Sequence, residues 1–382
     1  MSKLKVMHLT FNMAIGGTEQ VILQLVKNCD PARHELAVLC LESPIGELGE
    51  KLRALGVCVI ACSRGNSGLD LKLVAGIRRL IREREIDVLH CHQYTPYTYG
   101  LLASLGTAAA VVFTEHGRFY PDRSHWKRVL LNPLFNLATT TVTAISQATA
   151  DALSTYEKFP KRAISVVYNG IGTPKVEPTE VQRVRTDLGI HPAATVVGTI
   201  SRLDPIKNQQ LMLRAFGRLL VKRPEAVLLI VGDGPSRVEL ECLTQSLGIE
   251  SQVVFTGFKV DPHPYMAMLD VFLLPSLSEG TSMTVLEAMA CATPSVVTNV
   301  GGNPEVVIDG ETGFVTPSDD ELSFSRALEK LVLDKHLRQR MGAKALEHYL
   351  ARFTVATMVD HYERLYCEAS GGGKARVGVA CE

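Results

Sequence analysis

The chain has 382 residues, 46% of them hydrophobic, and its 40 Lys/Arg balance 40 Asp/Glu. That length and apolar content suit about two or three domains with real cores, and a neutral total gives no ground to expect a nucleic-acid partner. The charge is unevenly spread: residues 1–170 carry 19 Lys/Arg against 14 Asp/Glu, and residues 171–382 carry 21 against 26. Either this is a chance excess, or the first half meets something anionic, such as phosphates or a membrane face.

Lys5–Thr10 opens the chain as a β-rich run with no signal-peptide pattern before it. The pair Gly16-Gly17 follows, then the amphipathic segment Glu19–Lys27. Paired glycines between a strand and a helix let backbone N–H groups approach an oxyanion, although a simple tight turn explains them as well. They are not the G-x-G-x-x-G dinucleotide fingerprint. Further strand patterns fall at Glu35–Leu41, Val57–Cys62, Val88–His92, Val111–Thr114 and Thr141–Ile145. The cluster His90-Cys91-His92 lacks further ligands at metal-like spacing, so no metal is expected there. Nine cysteines, an odd number without a C-x-x-C pair, indicate reduced thiols and a cytoplasmic setting. The longest apolar run, Leu101–Phe113, is too short and interrupted to span a bilayer, so a soluble protein able to touch a membrane is expected. His116, at the end of Val111–Glu115, is either a structural histidine or a donor to a substrate hydroxyl.

Between Gly170 and Pro192 the pattern weakens into a polar, proline-punctuated stretch. It restarts with Thr195–Ile200, Ala226–Val231, Val253–Thr256, Val271–Leu274 and Ser295–Thr298. Near-continuous apolar strands alternating with helices predict parallel sheets covered on both faces, in two similar units. Ligands bind such units beyond the carboxyl ends of the strands. In the second unit those ends carry Arg202 and Lys207, then Gly232, then Phe258 and Lys259, and later Gly301-Gly302. A lysine at a helix start opposes the dipole, so Lys207 asks for an anion; with Arg202 it could hold a diphosphate, or both could be solvated loop bases.

Glu279-Gly-Thr281-Ser282-Met283-Thr284-Val-Leu-Glu287 places two carboxylates around a helix start. The apolar segment Ala288–Pro294 reads as a buried helix ending at the proline. An ionised Glu287 there needs hydrogen-bond donors, and two vicinal ligand hydroxyls would satisfy it. Glu279, beside the capping candidates Thr281 and Ser282, would face a ligand docked at that helix start. The plainer alternative is a surface Glu and a helix Glu paired to basic neighbours.

In order along the chain, these elements resemble the retaining glycosyltransferases of family 4: Gly16-Gly17, Asp87–His92, Thr114–Gly117, Ala144–Ser146, Asn169–Ile171, Ser201–Leu203 with Lys207-Asn208, Val231–Pro235, Glu279–Glu287, and Gly301-Gly302 with Gly310-x-x-Gly313. The resemblance covers about residues 3–368 and implies an α/β, GT-B fold: two Rossmann-like doubly wound domains facing across a cleft. Domain bounds are then 1–175 with a crossing helix at about 353–369, and 190–352; residues 370–382 are expected to be a disordered tail. The resemblance further implies a nucleotide-sugar donor, UDP by family preference, and no cofactor or metal. Gly16, Gly17, Arg202 and Lys207 would hold its diphosphate, and Glu287 the ribose. Glu279 would bind the sugar, with His116 near its ring. Gly232, Phe258, Thr281, Ser282, Met283 and Thr284 complete the donor set. The stretch Thr281–Thr284 departs from the Gly- or Phe-containing stretch of many relatives. The implied acceptor is a glycan or polyprenyl-linked molecule of cell-envelope or exopolysaccharide synthesis. A GT-B nucleotide-sugar epimerase and a non-catalytic nucleotide-sugar-binding partner share these features; an NAD-dependent dehydrogenase lacks its fingerprint here. Arg123–Phe135, with the sole tryptophan, several bases and large apolar residues, fits either a peripheral anionic-membrane surface or a buried helix start.

Overall fold

A computed structural model of the chain describes residues 3–65, 68–117 and 123–371. It divides into two compact units, Met1–Gly170 with Val355–Glu382, and Ile171–Thr354.

The first unit is built on seven strands: β1 (Leu4–Thr10), β2 (His34–Cys40), β3 (Cys58–Ala61), β4 (Val88–His92), β5 (Ala110–Glu115), β6 (Thr141–Ala144) and β7 (Ile164–Val166). They lie parallel in the order β3-β2-β1-β4-β5-β6-β7. The chain steps outward from β1 to β3, then returns to the other side of β1. The switch point, where connections diverge, therefore lies between β1 and β4. Side chains alternate between faces with a period of two. Met7, Leu9, Leu89, Cys91, Val111 and Phe113 join one core with Ile77 and Tyr97. The alternate positions His8, Thr10, His90, His92 and Thr114 are buried as well. The helix Val355–Gly371 covers this polar layer: Tyr366 Oη lies 2.7 Å from His90 Nδ1, and Tyr362 Oη 3.3 Å from Thr114 Oγ1. Its Glu363 accepts a hydrogen bond from the Asp30 backbone N–H at 2.8 Å. The helix runs past the expected end at 369, so residues 370 and 371 are helical; the remainder of the expected tail lies outside the described residues.

The second unit has six parallel strands: β8 (Val196–Ile200), β9 (Val227–Val231), β10 (Val253–Gly257), β11 (Val271–Leu274), β12 (Ser295–Thr298) and β13 (Gly313–Thr316). Their order β10-β9-β8-β11-β12-β13 places the switch point between β8 and β11. Every residue of β8, β11 and β12 is buried, the reason their sequences lack alternation. Leu228, Ile230 and Leu273 pack with Phe216 and Phe324 in this core. The entry and exit of the unit pair with each other: the Ile171 N–H donates to Phe353 O at 3.1 Å, and Ile171 bridges Thr354. The α/β class, with two Rossmann-like doubly wound units, is the one the sequence predicts.

Three local expectations are corrected. The polar stretch before Pro192 contains the helix Pro178–Asp187, started by a proline at its first turn and burying Val184 alone. The short strands β7 and β13 are additional. The helix expected to start at Thr281/Ser282 and to end at Pro294 does start there, at Met283, but closes at Ala290, and Ala292 turns out of it at φ 54°. The residue before a proline avoids the helical region, so the helix must close before Pro294.

Candidate functional site

In the second unit the loops after β8 and β11 meet at the switch point. Lys207 ends the short 3-10 turn Pro205–Lys207, and Asn208, at φ 48°, leads into the helix Gln209–Leu220. Lys207 Nζ lies 2.6 Å from Glu279 Oε1, and the same oxygen accepts from Ser276 Oγ at 2.7 Å. The anion that Lys207 requires is therefore already supplied by the protein, so the helix-start argument alone does not demand a ligand. Lys207 and Glu279 form one couple, with the carboxylate side chain only 9% exposed. Arg202 stands apart from it: its guanidinium meets Asp204 Oδ2 at 2.7 Å while 71% of the side chain is exposed.

Glycines brace both loops. A Cβ on Gly232 (φ 134°) would lie 2.0 Å from Ser201 O, and one on Gly301 (φ 50°) 1.7 Å from Glu279 O. Gly302 N–H donates to Gly280 O at 2.9 Å. Gly232 and Gly301-Gly302 thus let backbone press against the segments that carry Arg202 and Glu279.

Beyond Glu279, Thr281 and Ser282 are buried, and Met283 and Thr284 half-buried. Ser282 occupies the N-cap of Met283–Ala290, but its Oγ lies 3.2 Å from Thr284 Oγ1 and caps no backbone N–H. Glu287 is half-buried in that helix, and burial pushes its carboxyl up to about 7, with nearby His263 pulling the other way. Among the described residues no protein donor hydrogen-bonds this carboxylate. The basic neighbour that the plainer alternative required is absent as a bonded partner. Phe258, following β10, is 55% exposed, and Lys259 Nζ sits 5.6 Å from the Tyr265 ring centroid.

In the first unit Gly16 is the extended N-cap of the helix Gly17–Asn28. A Cβ there would come within 2.3 Å of Glu19 Oε2, whereas one on Gly17 would meet nothing within 4 Å. The Glu19 carboxyl, raised by burial, already lies over this helix start. Gly17 leaves space that no described residue fills.

His116 follows β5, and its Nε2 lies 2.8 Å from His92 Nδ1. His92 Nε2 in turn lies 3.0 Å from His8 Nδ1. His90 is separate, bonded through Nδ1 to Tyr366 and through Nε2 to Thr114 Oγ1 at 2.7 Å. Desolvation holds His8 and His116 down to about 3, and His90 and His92 well below the ordinary histidine range. All four are neutral imidazoles. The sequence expectation that His90 and His92 had no further neighbour of their kind is corrected by strand pairing, which sets His8 opposite His90. His8, His90 and His92 can each bring a ligand nitrogen within 4.8 Å of the others. Both nitrogens of His90 are, however, engaged by hydroxyls. Sequence reasoning did not find His8, His92, Ser276 or Tyr366 as site-supporting residues. Period-two burial could have flagged the histidines, but their register could not be read.

Two doubly wound units of this kind are the building blocks of the GT-B fold. Residues 15–174 match the model described as Glycosyltransferase Family 4, and residues 181–348 the one described as Glycosyl transferases group 1. The chain is 30% identical over 307 residues to N-acetyl-alpha-D-glucosaminyl L-malate synthase of Bacillus anthracis, covering 78% of each. It is 25% identical over 379 residues to the UDP-Gal:alpha-D-GlcNAc-diphosphoundecaprenol alpha-1,3-galactosyltransferase of Escherichia coli, covering 96% of this chain and 97% of that protein. Among solved structures, Anabaena HepE in complex with UDP matches with a TM-score of 0.84 at 24% identity, over 95% of this chain and 100% of that one. The chain belongs to glycosyltransferase family 4 and is a glycosyltransferase.

Proposed function

We propose that the protein transfers a sugar, with retention of anomeric configuration, from a UDP-sugar to a glycan or lipid-linked acceptor in envelope or exopolysaccharide synthesis. The observation that carries this reading is Glu287, a half-buried carboxyl without a protein donor in the same segment as the Lys207–Glu279 couple. Vicinal ribose hydroxyls would supply the missing donors. Arg202, exposed and held by one carboxylate, is free to turn to a diphosphate, and Lys207 would bridge that diphosphate and Glu279. Glu279 would then address the sugar hydroxyls. Phe258 and Lys259 would flank the base, and the uncapped N–H groups at Met283 and Thr284 would add partial positive charge.

In a front-face displacement the acceptor hydroxyl attacks from the side the diphosphate leaves, and the leaving phosphate takes its proton. The chain then supplies no nucleophile. Its work is stabilising charge on the departing diphosphate. The reading needs no cofactor beyond the donor. UDP is supported by the UDP complex of HepE and the UDP-Gal donor named for the E. coli relative, and the lipid-linked acceptor by that relative's diphosphoundecaprenol.

A thermal-shift panel of UDP-glucose, UDP-galactose, UDP-N-acetylglucosamine and GDP-mannose tests donor binding, and NMR of the product anomer tests retention. A flat response across the panel overturns the reading. Consumption of a nucleotide sugar without acceptor, yielding its epimer, favours the epimerase instead; binding without turnover favours the non-catalytic partner.

Membrane contact gains support from the helix Trp126–Ala138. Trp126, Leu130, Leu134 and Leu137 are 63–82% exposed, on one stripe. The opposite face packs on the unit: Phe135 lies against its core, buried Asn132 donates to Glu157 O at 2.7 Å, and Arg128 pairs with Glu157 at 3.1 Å. The exposed apolar stripe suits a helix lying in the headgroup region. No helix among the described residues is long and apolar enough to cross a membrane. Because Arg128 is committed to Glu157, the fitting test is Leu130→Glu with Leu134→Glu, which should abolish sedimentation with anionic vesicles at low salt. Failure of the unaltered protein to sediment would remove membrane contact.

A further inference from the structure

The geometry points to His8 and His92 as positioning residues that hold His116 in one tautomer, with Nδ1 protonated and presented as a hydrogen-bond donor. The inference rests on the proposed transferase reading only for what receives that bond, an oxygen of the donor or acceptor substrate.

Three rings form one chain: His8 Nδ1 to His92 Nε2 at 3.0 Å, and His92 Nδ1 to His116 Nε2 at 2.8 Å. All three are neutral, so each has a single N–H. Two of the three protons are used within the chain, and the third must sit at one of its ends. Those ends are His8 Nε2 and His116 Nδ1, both buried atoms without a partner among the described residues. The chain therefore has only two states. In one, every proton points toward His116, leaving a bare lone pair on His8 and a free N–H on His116. In the other, the free N–H lies on His8 and His116 shows a lone pair.

The environments of the two ends decide between them. His8 is 0% exposed, in the layer beneath the helix Val355–Gly371. An orphaned N–H is rarer in protein interiors than an unused acceptor. His116, unlike His8, is only half-buried and lies at the carboxyl end of β5, where ligands of doubly wound units bind, so its end of the chain is the one nearer to ligand oxygens. His90 holds the stack without joining the chain: its ring centroid lies 4.0 Å from that of His92, and Tyr366 and Thr114 occupy both its nitrogens. An imidazole fixed in this direction donates to substrate and does not act as a base on the acceptor hydroxyl. That agrees with a route in which the leaving phosphate takes the proton.

The test is the nitrogen-15 NMR spectrum of the histidine-labelled full chain, assigned with His116→Gln. The expected result is a protonated Nδ1 on His116 in the unaltered protein. His8→Phe, which removes the first donor, should release His116 to a mixture of tautomers and lower kcat about 10-fold or more, with KM for the nucleotide sugar unchanged. His8→Gln, which can still donate to His92, should restore most of both. A protonated Nε2 on His116 in the unaltered protein overturns the inference whatever the enzymatic result. A protonated Nδ1 with no transfer from any nucleotide sugar leaves the inference standing and removes the transferase reading. If His8→Phe fails to fold, the unaltered spectrum still decides.

Discussion

Donor binding should release a proton from Glu287. In the free protein burial holds this carboxyl at about 7 against an ordinary 4.5. At pH 7 about half of the molecules are thus protonated there. Ribose hydroxyls donating to both oxygens favour the ionised form and pull the group back toward its ordinary value. If the return is complete, about half a proton leaves per donor bound at pH 7. The difference of about 2.5 pH units then corresponds to a roughly 300-fold preference for the ionised protein. Affinity should be flat above about pH 8 and about 10-fold weaker at pH 6. UDP-glucose is the suitable probe, because its diphosphate diester has no proton to lose near neutrality. Calorimetry in buffers of different ionisation enthalpy counts the proton. His263, the neighbour that acts on Glu287, is controlled by His263→Gln, which should keep the pH dependence. Glu287→Gln should bind weakly and without it. Without ligand that variant should melt higher at pH 8: a raised carboxyl stabilises below its unfolded value and loses this as pH rises to the folded one, by up to about 3 kcal/mol. Proton release that persists in Glu287→Gln, or affinity unchanged from pH 6 to 8, would refute the assignment.

Arg202→Ala should weaken UDP-sugar binding about 10-fold or more while shifting the melting temperature little, since an exposed ion pair contributes under about 1 kcal/mol; unchanged affinity by calorimetry counts against the diphosphate role. Lys207→Ala should lower both affinity and stability, because it strands Glu279; a loss of stability without loss of affinity would make the couple purely structural. Gly301→Ala forces a Cβ into Glu279 O and should destabilise by at least about 2 kcal/mol in urea titration, with a wild-type midpoint showing that the loop yields. Acid should unfold the first unit early: His8, His90, His92 and His116 stay neutral while the unfolded chain takes up protons below about pH 6.5, so stability present above that pH is lost as pH falls, at up to about 5 kcal/mol per pH unit. Equal urea midpoints at pH 7.5 and 5.5 would contradict this.

Strand positions were legible because a parallel sheet buried on both faces leaves unbroken apolar runs; Val88–His92, Val271–Leu274 and Ser295–Thr298 coincide with β4, β11 and β12. Short edge strands such as β7, and the mostly solvated helix Pro178–Asp187, bury too little to leave that mark. At the site, the need of Glu287 for a partner was visible from a charge in an apolar helix. The Lys207–Glu279 couple was not, because it depends on which strand lies beside β8. The same holds for the histidine chain: His8 and His92 sit on two strands and His116 just after a third, and only sheet order makes them neighbours.

The return of the chain to its first unit has a consequence for synthesis. The segment Ile171–Thr354 is continuous and can reach its native contacts as soon as it has left the ribosome. The first unit, though made earlier, must wait for Tyr362 and Tyr366 on the last described helix. Until they arrive, the His8–His90–Thr114 part of that sheet face lacks the helix that covers it. The part of the protein translated first is therefore the part that finishes folding last, and the nascent chain holds an open sheet face throughout the making of the second unit.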